Sequence, residues 1–343
     1  MNNQRLLQAL YRQPVDKIPV WFMRQAGRYL PEYQATRKQA GSFIKLCKTP
    51  ELAAEVSLQP LRRFSVDAAI LFSDILVLPD AMGLGLEVVE TVGPRFARTI
   101  SSSHDIQQLV IPDPEQELRY VMETVRLLRA ELNNQVPLIG FAGSPWTVAT
   151  YMVEGQTSKG FNIVKKMLYR EPELLHALLK KITEATILYL QAQIEAGAQV
   201  IMIFDTWGGI LQPLSYQAFS LTYMQTIIKK LNNKVPTIIY SKQTHGALEK
   251  IADSGCSAIG LDWTIELKEA KARVQHKVAL QGNLDPAVLY ASPEQIRMQI
   301  TKLLTEIGSE PGYIFNVGHG LMPDINPEHV NVAVETVHAF SVL

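Results

Sequence analysis

The sequence predicts an α/β protein folded as one (β/α)8 TIM-type barrel over residues 1–343, with an N-terminal arm and a hairpin insertion. Three observations predict it. Short runs rich in Ile, Val, Phe and Leu recur along the chain, each followed by a longer stretch of helical period. The runs do not alternate apolar with polar, as strands buried on both faces of a parallel sheet do not. No Pro/Gly/Ser-rich linker divides the alternation into two domains. A doubly wound open sheet is the alternative that the same alternation allows.

The eight runs are Ile18–Met23, Ala68–Phe72, Leu138–Ala142, Gln199–Phe204, Thr237–Tyr240, Ala258–Leu261, Val278–Leu280 and Tyr313–Val317. Between them, Glu171–Ala196 is the clearest helix. Leu174, Leu175, Leu178, Leu179, Ile182 and Ala185 form one stripe, Lys180, Lys181 and Glu184 lie opposite, and Gly197 stops it. Ser292-Pro293-Glu294 reads as an N-cap with Pro in the first turn, opening a helix to about Ile307 that Gly308 closes. Asn326-Pro327-Glu328 opens the last helix in the same way. A barrel needs roughly 250 residues, so about ninety are extra. They fall in the N-terminal arm, in Leu86–Ile100, which alternates around Gly93-Pro94 like a β-hairpin, and in Gln156–Arg170.

Composition excludes several classes. The chain has 343 residues, 33 basic and 33 acidic, so no global field draws it to nucleic acid or an anionic membrane. No run approaches the ~18 apolar residues of a membrane span. Met1-Asn2-Asn3-Gln4-Arg5 lacks an apolar signal core, so a cytoplasmic location is expected. Cys47 and Cys256 stand far apart in no paired motif, which rules out a disulfide scaffold or a multi-cysteine metal cluster. There is no HExxH, EF-hand, GxxxxGK[ST] or GxSxG motif, and Gly83-Leu84-Gly85 is too short for a dinucleotide fingerprint, so neither metal nor cofactor is expected. The neutral total hides an asymmetry: residues 1–63 hold 11 Lys/Arg against 4 Asp/Glu. That local excess suits either an anion site or a solvated basic surface.

Barrel active sites form at the C-terminal ends of the strands. There the chain places Arg24-Gln25-Ala26-Gly27-Arg28, Ser73-Asp74, Gly143-Ser144-Pro145-Trp146, Asp205-Thr206-Trp207-Gly208-Gly209, Ser241-Lys242 with His245, Asp262, Gly282-Asn283 and Gly318-His319-Gly320. Arg24 and Arg28, four apart around Gly27 and with Arg37 nearby, can converge on one anionic ligand through planar guanidinium forks, or serve as salt-bridged surface arginines. Asp74, between two apolar runs, either caps backbone amides or meets a cation or donor of the ligand. Tyr151, on a short helix over Pro145–Glu154, is either half-buried packing or a hydroxyl at a pocket edge. His319, flanked by glycines, is a turn histidine or a close ligand contact, and Thr206 is equally open. Lys242 after strand five permits a Schiff base, although a solvated or salt-bridged lysine is the commoner use.

The residues Trp21-Phe22-Met23-Arg24-Gln25-Ala26-Gly27-Arg28-Tyr29-Leu30-Pro31-Glu32-Tyr33 resemble the N-terminal signature of the uroporphyrinogen decarboxylase family. Gly140–Thr147, continuing through Tyr151 and Gly155, resembles the second signature, and Phe72–Leu76, Phe204–Gly209 and Asn316–Gly320 match further segments in order. The resemblance implies a cofactor-free cytoplasmic enzyme, usually a homodimer. Its reaction removes the four acetate carboxyls of uroporphyrinogen III to give coproporphyrinogen III in haem and chlorophyll synthesis. By motif, Arg24, Gln25, Ala26, Gly27 and Arg28 would bind substrate carboxylates through side chains and backbone. Asp74 would accept the pyrrole N–H groups, and Tyr151, Thr206 and His319 would contact acetate or propionate groups.

The chemistry is consistent with that resemblance. Decarboxylation leaves an electron pair that many enzymes pass to a cofactor, and an electron-rich pyrrole protonated on carbon can take it instead. Asp74 is expected to work ionised as the counter-charge. The proton source stays open among Arg24, Arg28, a substrate carboxylic acid, Tyr151 and water. A zinc-dependent barrel methyltransferase and a non-catalytic tetrapyrrole carrier are the competing readings.

Overall fold

A computed structural model describes residues 4–89, 93–158, 160–308 and 310–340 of the chain. Seven of the eight apolar runs become strands of one parallel, curled sheet. In chain order the strands are β1 (Ala69–Ile70), β2 (Leu86–Val89), β3 (Gly93–Phe96), β4 (Leu138–Gly143), β5 (Val200–Asp205), β6 (Thr237–Ser241), β7 (Ala258–Gly260), β8 (Ala279–Gln281) and β9 (Tyr313–Ile314). The sheet order is β1-β4-β5-β6-β7-β8-β9, every pair parallel. Every residue of β4 and β6 is buried, which is why these runs do not alternate.

The run Ile18–Met23 departs from the expected eighth strand. It lies between the two edges of the sheet but makes only a single-residue bridge, Val20 to Phe315. Phe315 N–H donates to Pro19 O at 2.9 Å, and Asp67 N–H donates to Val20 O at 2.7 Å on the other side. The reason lies in the donors. Pro19 has none, and Val20 N–H goes to the Asp67 carboxylate at 2.8 Å instead of to a strand. Asp67 also accepts from Arg5 Nη1 at 2.9 Å and lies 2.8 Å from His338 Nε2, so one buried carboxylate ties both chain ends to the gap. Burial does the rest. Trp21 and Phe22 are fully enclosed, worth roughly 2–3 kcal/mol each. Trp21 Nε1 donates to Gln281 Oε1 at 3.0 Å, and Phe22 meets Phe315 edge-on at 6.2 Å.

The local helix signals hold well. Pro172–Ala196 buries Leu175, Leu178, Leu179, Ile182 and Ala185 and stops at Gly197, whose φ is 124°. Lys181, on the opposite face, reaches the Ile106 carbonyl at 2.8 Å. Ser292 and Asn326 cap Pro293–Ile307 and Pro327–Ala339 through their side chains. The N-terminal arm forms helices Arg5–Leu10, Pro31–Ala40, Phe43–Cys47 and Pro50–Arg63. The hairpin is also present, but Gly93-Pro94 belong to its second strand. Gly93 and Pro94 pair with Val89 and Val88 as the start of β3, and residues 90–92 lie outside the described residues. Of Gln156–Arg170, Asn162–Arg170 is a helix.

Candidate active site

At the C-terminal ends of the strands, β1, β5, β9 and the Ile18–Met23 run open into a cleft of about 440 Å³. Arg24, Ala26, Gly27, Arg28, Asp74, Thr206 and His319 line it, among apolar walls that include Phe72, Ile75, Phe141, Phe204 and Leu321. Five chain segments that are remote in sequence thus bring most of the expected residues to one place.

The arginine segment is held in an unusual shape. Arg24 has φ 61°, a left-handed conformation costing about 1–3 kcal/mol for a residue with a side chain. The surroundings enforce it. Met23 N–H donates to Asn316 Oδ1 at 3.0 Å, Leu321 N–H to Met23 O at 2.9 Å, and Gln25 N–H to Phe22 O at 3.0 Å. The Arg24 side chain then crosses Gly320, where a Cβ would stand 2.3 Å from Arg24 Cδ. The glycine after His319 therefore makes room for the arginine rather than for a ligand. Arg24 and Arg28 are both exposed to the cleft, and among the described residues neither guanidinium has an ion-pair partner. Two unpaired, permanently charged forks in one cleft make a site for carboxylate or phosphate.

Gln25 sits differently. It is 1% exposed; its Nε2 donates to Ala68 O at 3.0 Å and its Oε1 accepts from Phe22 N–H at 3.2 Å. Its side chain joins the arginine segment to β1 and does not reach the cleft. Arg37, on the Pro31–Ala40 helix, lies near Tyr33 and Cys47 and is not among the lining residues.

Asp74 stands on the cleft wall two residues past the apolar run that contains β1. Its Oδ1 accepts the Leu76 N–H at 2.8 Å, and no cation lies within ion-pair distance among the described residues. Burial raises its pKa above the ordinary carboxylate range; the Leu76 N–H and the charge of Arg24 pull it back. An ionised Asp74 is thus a negative charge with one satisfied oxygen and an appetite for donors.

His319 is packed on Tyr240, ring centroids 6.0 Å apart and planes 10° from parallel. Tyr240 O–H donates to Gly318 O at 2.8 Å, so its oxygen is left to accept from His319 Nδ1 at 3.2 Å. That fixes the hydrogen on Nδ1 and leaves Nε2 as an acceptor. Burial and the nearby charges of Arg24 and Lys242 push the imidazole down to about 4, so it is neutral near pH 7.

Thr206 lines the cleft from the turn after β5. Tyr151 does not. It lies on Pro145–Glu154 behind the lining, half-buried, with its ring edge-on to Phe161 at 6.2 Å. Burial raises its hydroxyl pKa, and the negative charge of Asp74 adds to that. Lys242 Nζ lies 5.9 Å from the Trp263 ring centre and is not part of the cleft lining. Among the described residues no group of three or more His, Cys, Asp or Glu is arranged to hold a metal ion.

Sequence reasoning passed over Asp205. It is wholly buried at the end of β5 and bonded to four hydroxyls. The signal in the sequence was an acid directly before Thr206; its partners, Ser144, Thr147, Ser220 and Ser241, come from three other segments and show no spacing pattern.

The uroporphyrinogen decarboxylase (URO-D) family model matches residues 1–340. A relative from Pseudoalteromonas atlantica named uroporphyrinogen decarboxylase is 58% identical over 99% of this chain and 98% of its own. One of the same name from Klebsiella pneumoniae strain 342 is 57% identical with the same coverage. A solved methyltransferase from Methanosarcina mazei superposes with a TM-score of 0.83 over 98% of this chain and 97% of its own; at 24% identity it speaks for the fold alone. A full-length family match and relatives this similar along their whole length leave one assignment: the chain belongs to the uroporphyrinogen decarboxylase family.

Proposed function

We propose that the chain removes the four acetate carboxyls of uroporphyrinogen III, releasing CO2 and leaving methyl groups, to give coproporphyrinogen III in porphyrin and haem biosynthesis. The observation that carries this reading is the cleft itself: two arginines and one carboxylate, none with an ion-pair partner among the described residues, face the same space. That combination suits a ligand that is anionic at its rim and presents N–H groups at its centre.

Arg24 and Arg28 hold rim carboxylates, and the backbone of Ala26 and Gly27 lies alongside to add N–H contacts. Asp74 accepts the pyrrole N–H groups. A proton adds to a ring carbon, and Asp74 is the counter-charge to the resulting cation. The bond from the acetate methylene to its carboxylate then breaks; its electrons flow into the ring and CO2 leaves. A second proton adds to the exocyclic methylene and the ring proton departs, so each cycle exchanges CO2 for one proton. An opposite charge about 4 Å away at an effective dielectric of about 20 is worth about 4 kcal/mol, close to a thousandfold in rate when it acts only in the transition state. Positioning and proton delivery supply the remainder.

Thr206 and His319 orient acetate or propionate groups. The free His319 Nε2 accepts a proton as a carboxylate approaches, which keeps that contact charge-complementary. Tyr151, behind the lining, acts through proton transfer or orientation once substrate fills the cleft. The substrate provides the electron sink, so neither metal nor organic cofactor enters the scheme. The chain works as one domain, as a homodimer, in the cytoplasm, without nucleic acid or membrane as partner. No helix among the described residues is long and apolar enough to cross a membrane.

Anaerobic incubation of chelator-treated protein with uroporphyrinogen, followed by mass spectrometry, tests the reading. It predicts stepwise loss of four CO2 units. Binding without mass change would make the chain a carrier, and activity lost on chelation and restored by zinc would make it a metal enzyme.

A further inference from the structure

Asp205 is 0% exposed, and among the described residues its partners are hydroxyls rather than cations. Ser144 Oγ and Thr147 Oγ1 donate to Oδ1 at 2.6 and 3.1 Å, and Ser241 Oγ and Ser220 Oγ donate to Oδ2 at 2.7 and 2.9 Å. The proton directions follow from what three of these oxygens already accept. Ser144 Oγ takes the Thr147 N–H at 3.0 Å, Thr147 Oγ1 takes the Trp207 N–H at 3.1 Å, and Ser241 Oγ takes the Tyr216 O–H at 3.2 Å. Each of these three hydroxyls has one proton of its own, and it is left pointing at Asp205. Three O–H groups fixed on Asp205 and the Ser220 hydroxyl beside them suit a carboxylate: burial raises its pKa, and these hydroxyl donors pull it back.

A lone buried charge is an expensive way to fill a core that apolar side chains fill readily. Its partners explain its place. Ser144 caps Pro145–Glu154, the helix that bears Tyr151. On the same helix, Thr147 Oγ1 holds the Trp207 N–H and Trp146 Nε1 holds the Trp207 carbonyl at 2.9 Å, clamping the turn that begins at Thr206. The chain then passes directly over the carboxylate at Gly208, where a Cβ would stand 2.3 Å from Asp205 Oδ2.

We propose that Asp205 is a positioning residue: by orienting Ser144 and Thr147 it locks the Thr206 turn to the helix carrying Tyr151, and so sets the spacing between Thr206 on the cleft wall and Tyr151 behind it. The proposal rests on the reading above, in which both groups meet substrate. Arg24 and Arg28 stand on another segment and hold the substrate without this lock, so its loss lowers kcat and spares KM.

The test compares Asp205→Asn, Thr147→Val and Thr147→Ser by anaerobic steady-state kinetics and thermal melting. Valine keeps the shape of threonine without the hydroxyl; serine keeps the hydroxyl. The expected result for Thr147→Val is a kcat about tenfold lower with KM within about twofold and a lower melt, because Asp205 and the Trp207 N–H each lose a partner, while Thr147→Ser restores kcat to within about twofold and recovers the melt. Asp205→Asn loses more, about a hundredfold. Should Asp205→Asn fail to fold, the Thr147 pair decides alone. A folded Thr147→Val with wild-type kcat, a loss that serine does not rescue, or a rise in KM at constant kcat would overturn the proposal. Absence of CO2 release by the wild-type chain is a separate outcome: it would overturn the functional reading, and this proposal with it.

Discussion

Replacing Asp74 by Asn separates charge from shape at the centre of the cleft. The side-chain oxygen that accepts the Leu76 N–H at 2.8 Å remains, so the local backbone keeps its bond. The negative charge is lost. The full interaction of a carboxylate with a pyrrole cation at about 4 Å is about 4 kcal/mol at an effective dielectric of about 20. Arg24 offsets part of it and the cleft is open on one side, so about 2–4 kcal/mol is the working range, or a kcat about 30- to 1000-fold lower. Stability should move the other way. Burial raises the folded-state pKa of Asp74 above its ordinary 3.8, so between these two values the folded chain binds more protons than the unfolded chain. Stability is therefore lost as pH rises through that window, and the ionised group is a burden at pH 7. Asp74→Asn removes the burden, and its melting temperature at pH 7 should equal or exceed that of wild type, with the difference closing as pH falls toward 3.8. Product separation after anaerobic incubation gives kcat, and a thermal melt gives stability. A kcat within about threefold of wild type would refute the electrostatic role of Asp74.

Other positions report on separate parts of the cleft. Gly320→Ala puts a Cβ 2.3 Å from Arg24 Cδ and should displace that guanidinium, raising KM about tenfold in steady-state assays with little loss of melting temperature. Arg28→Lys keeps the charge but not the fork, and KM should rise severalfold to about tenfold; an unchanged KM would remove Arg28 from carboxylate binding. Tyr151→Phe should lower kcat by roughly ten- to a hundredfold if its hydroxyl handles a proton, whereas kinetics matching wild type would leave Tyr151 a packing residue. His319, held down at about 4 in the folded chain against 6.5 when free, binds fewer protons folded than unfolded across that interval, so it removes stability as pH falls from 6.5 toward 4. The melting temperature of His319→Gln should accordingly fall less than that of wild type between pH 7 and pH 5.

What the sequence disclosed depended on how local the determinants were. Ser292, Asn326 and Gly308 act on their own helices, and their roles could be read from a few neighbouring residues. The strands showed themselves because residues buried on both faces leave an unbroken apolar run. The first run misled because its apolar character is real while its strand pairing stops at one bridge: Pro19 lacks a donor and Asp67, far along the chain, takes the Val20 N–H. The hairpin was visible, but Gly93-Pro94, around which the alternation was read, is paired within β3. In the cleft, the strand-end placement of Arg24, Arg28 and Asp74 was legible from the sequence, while residue type alone left them open between ligand contacts and salt bridges or backbone caps. Gln25 shares their motif yet turns inward to bridge Phe22 and Ala68. The glycines around His319 suggested access for a ligand; Gly320 instead yields its space to Arg24, a contact across almost the entire chain length. Asp205 escaped notice for the same reason, because its four hydroxyl partners gather only when β4, β5, β6 and the helices behind them assemble.

The central claim is that a single carboxylate meets the pyrrole nitrogens of a macrocycle whose outer carboxylates are held by arginine. A crystal structure of the chain grown anaerobically with coproporphyrinogen tests it most directly. An Asp74 carboxylate oxygen should lie within about 3.2 Å of one or more ring nitrogens, with propionates against Arg24 and Arg28. A macrocycle bound with its nitrogens turned away from Asp74 would contradict it.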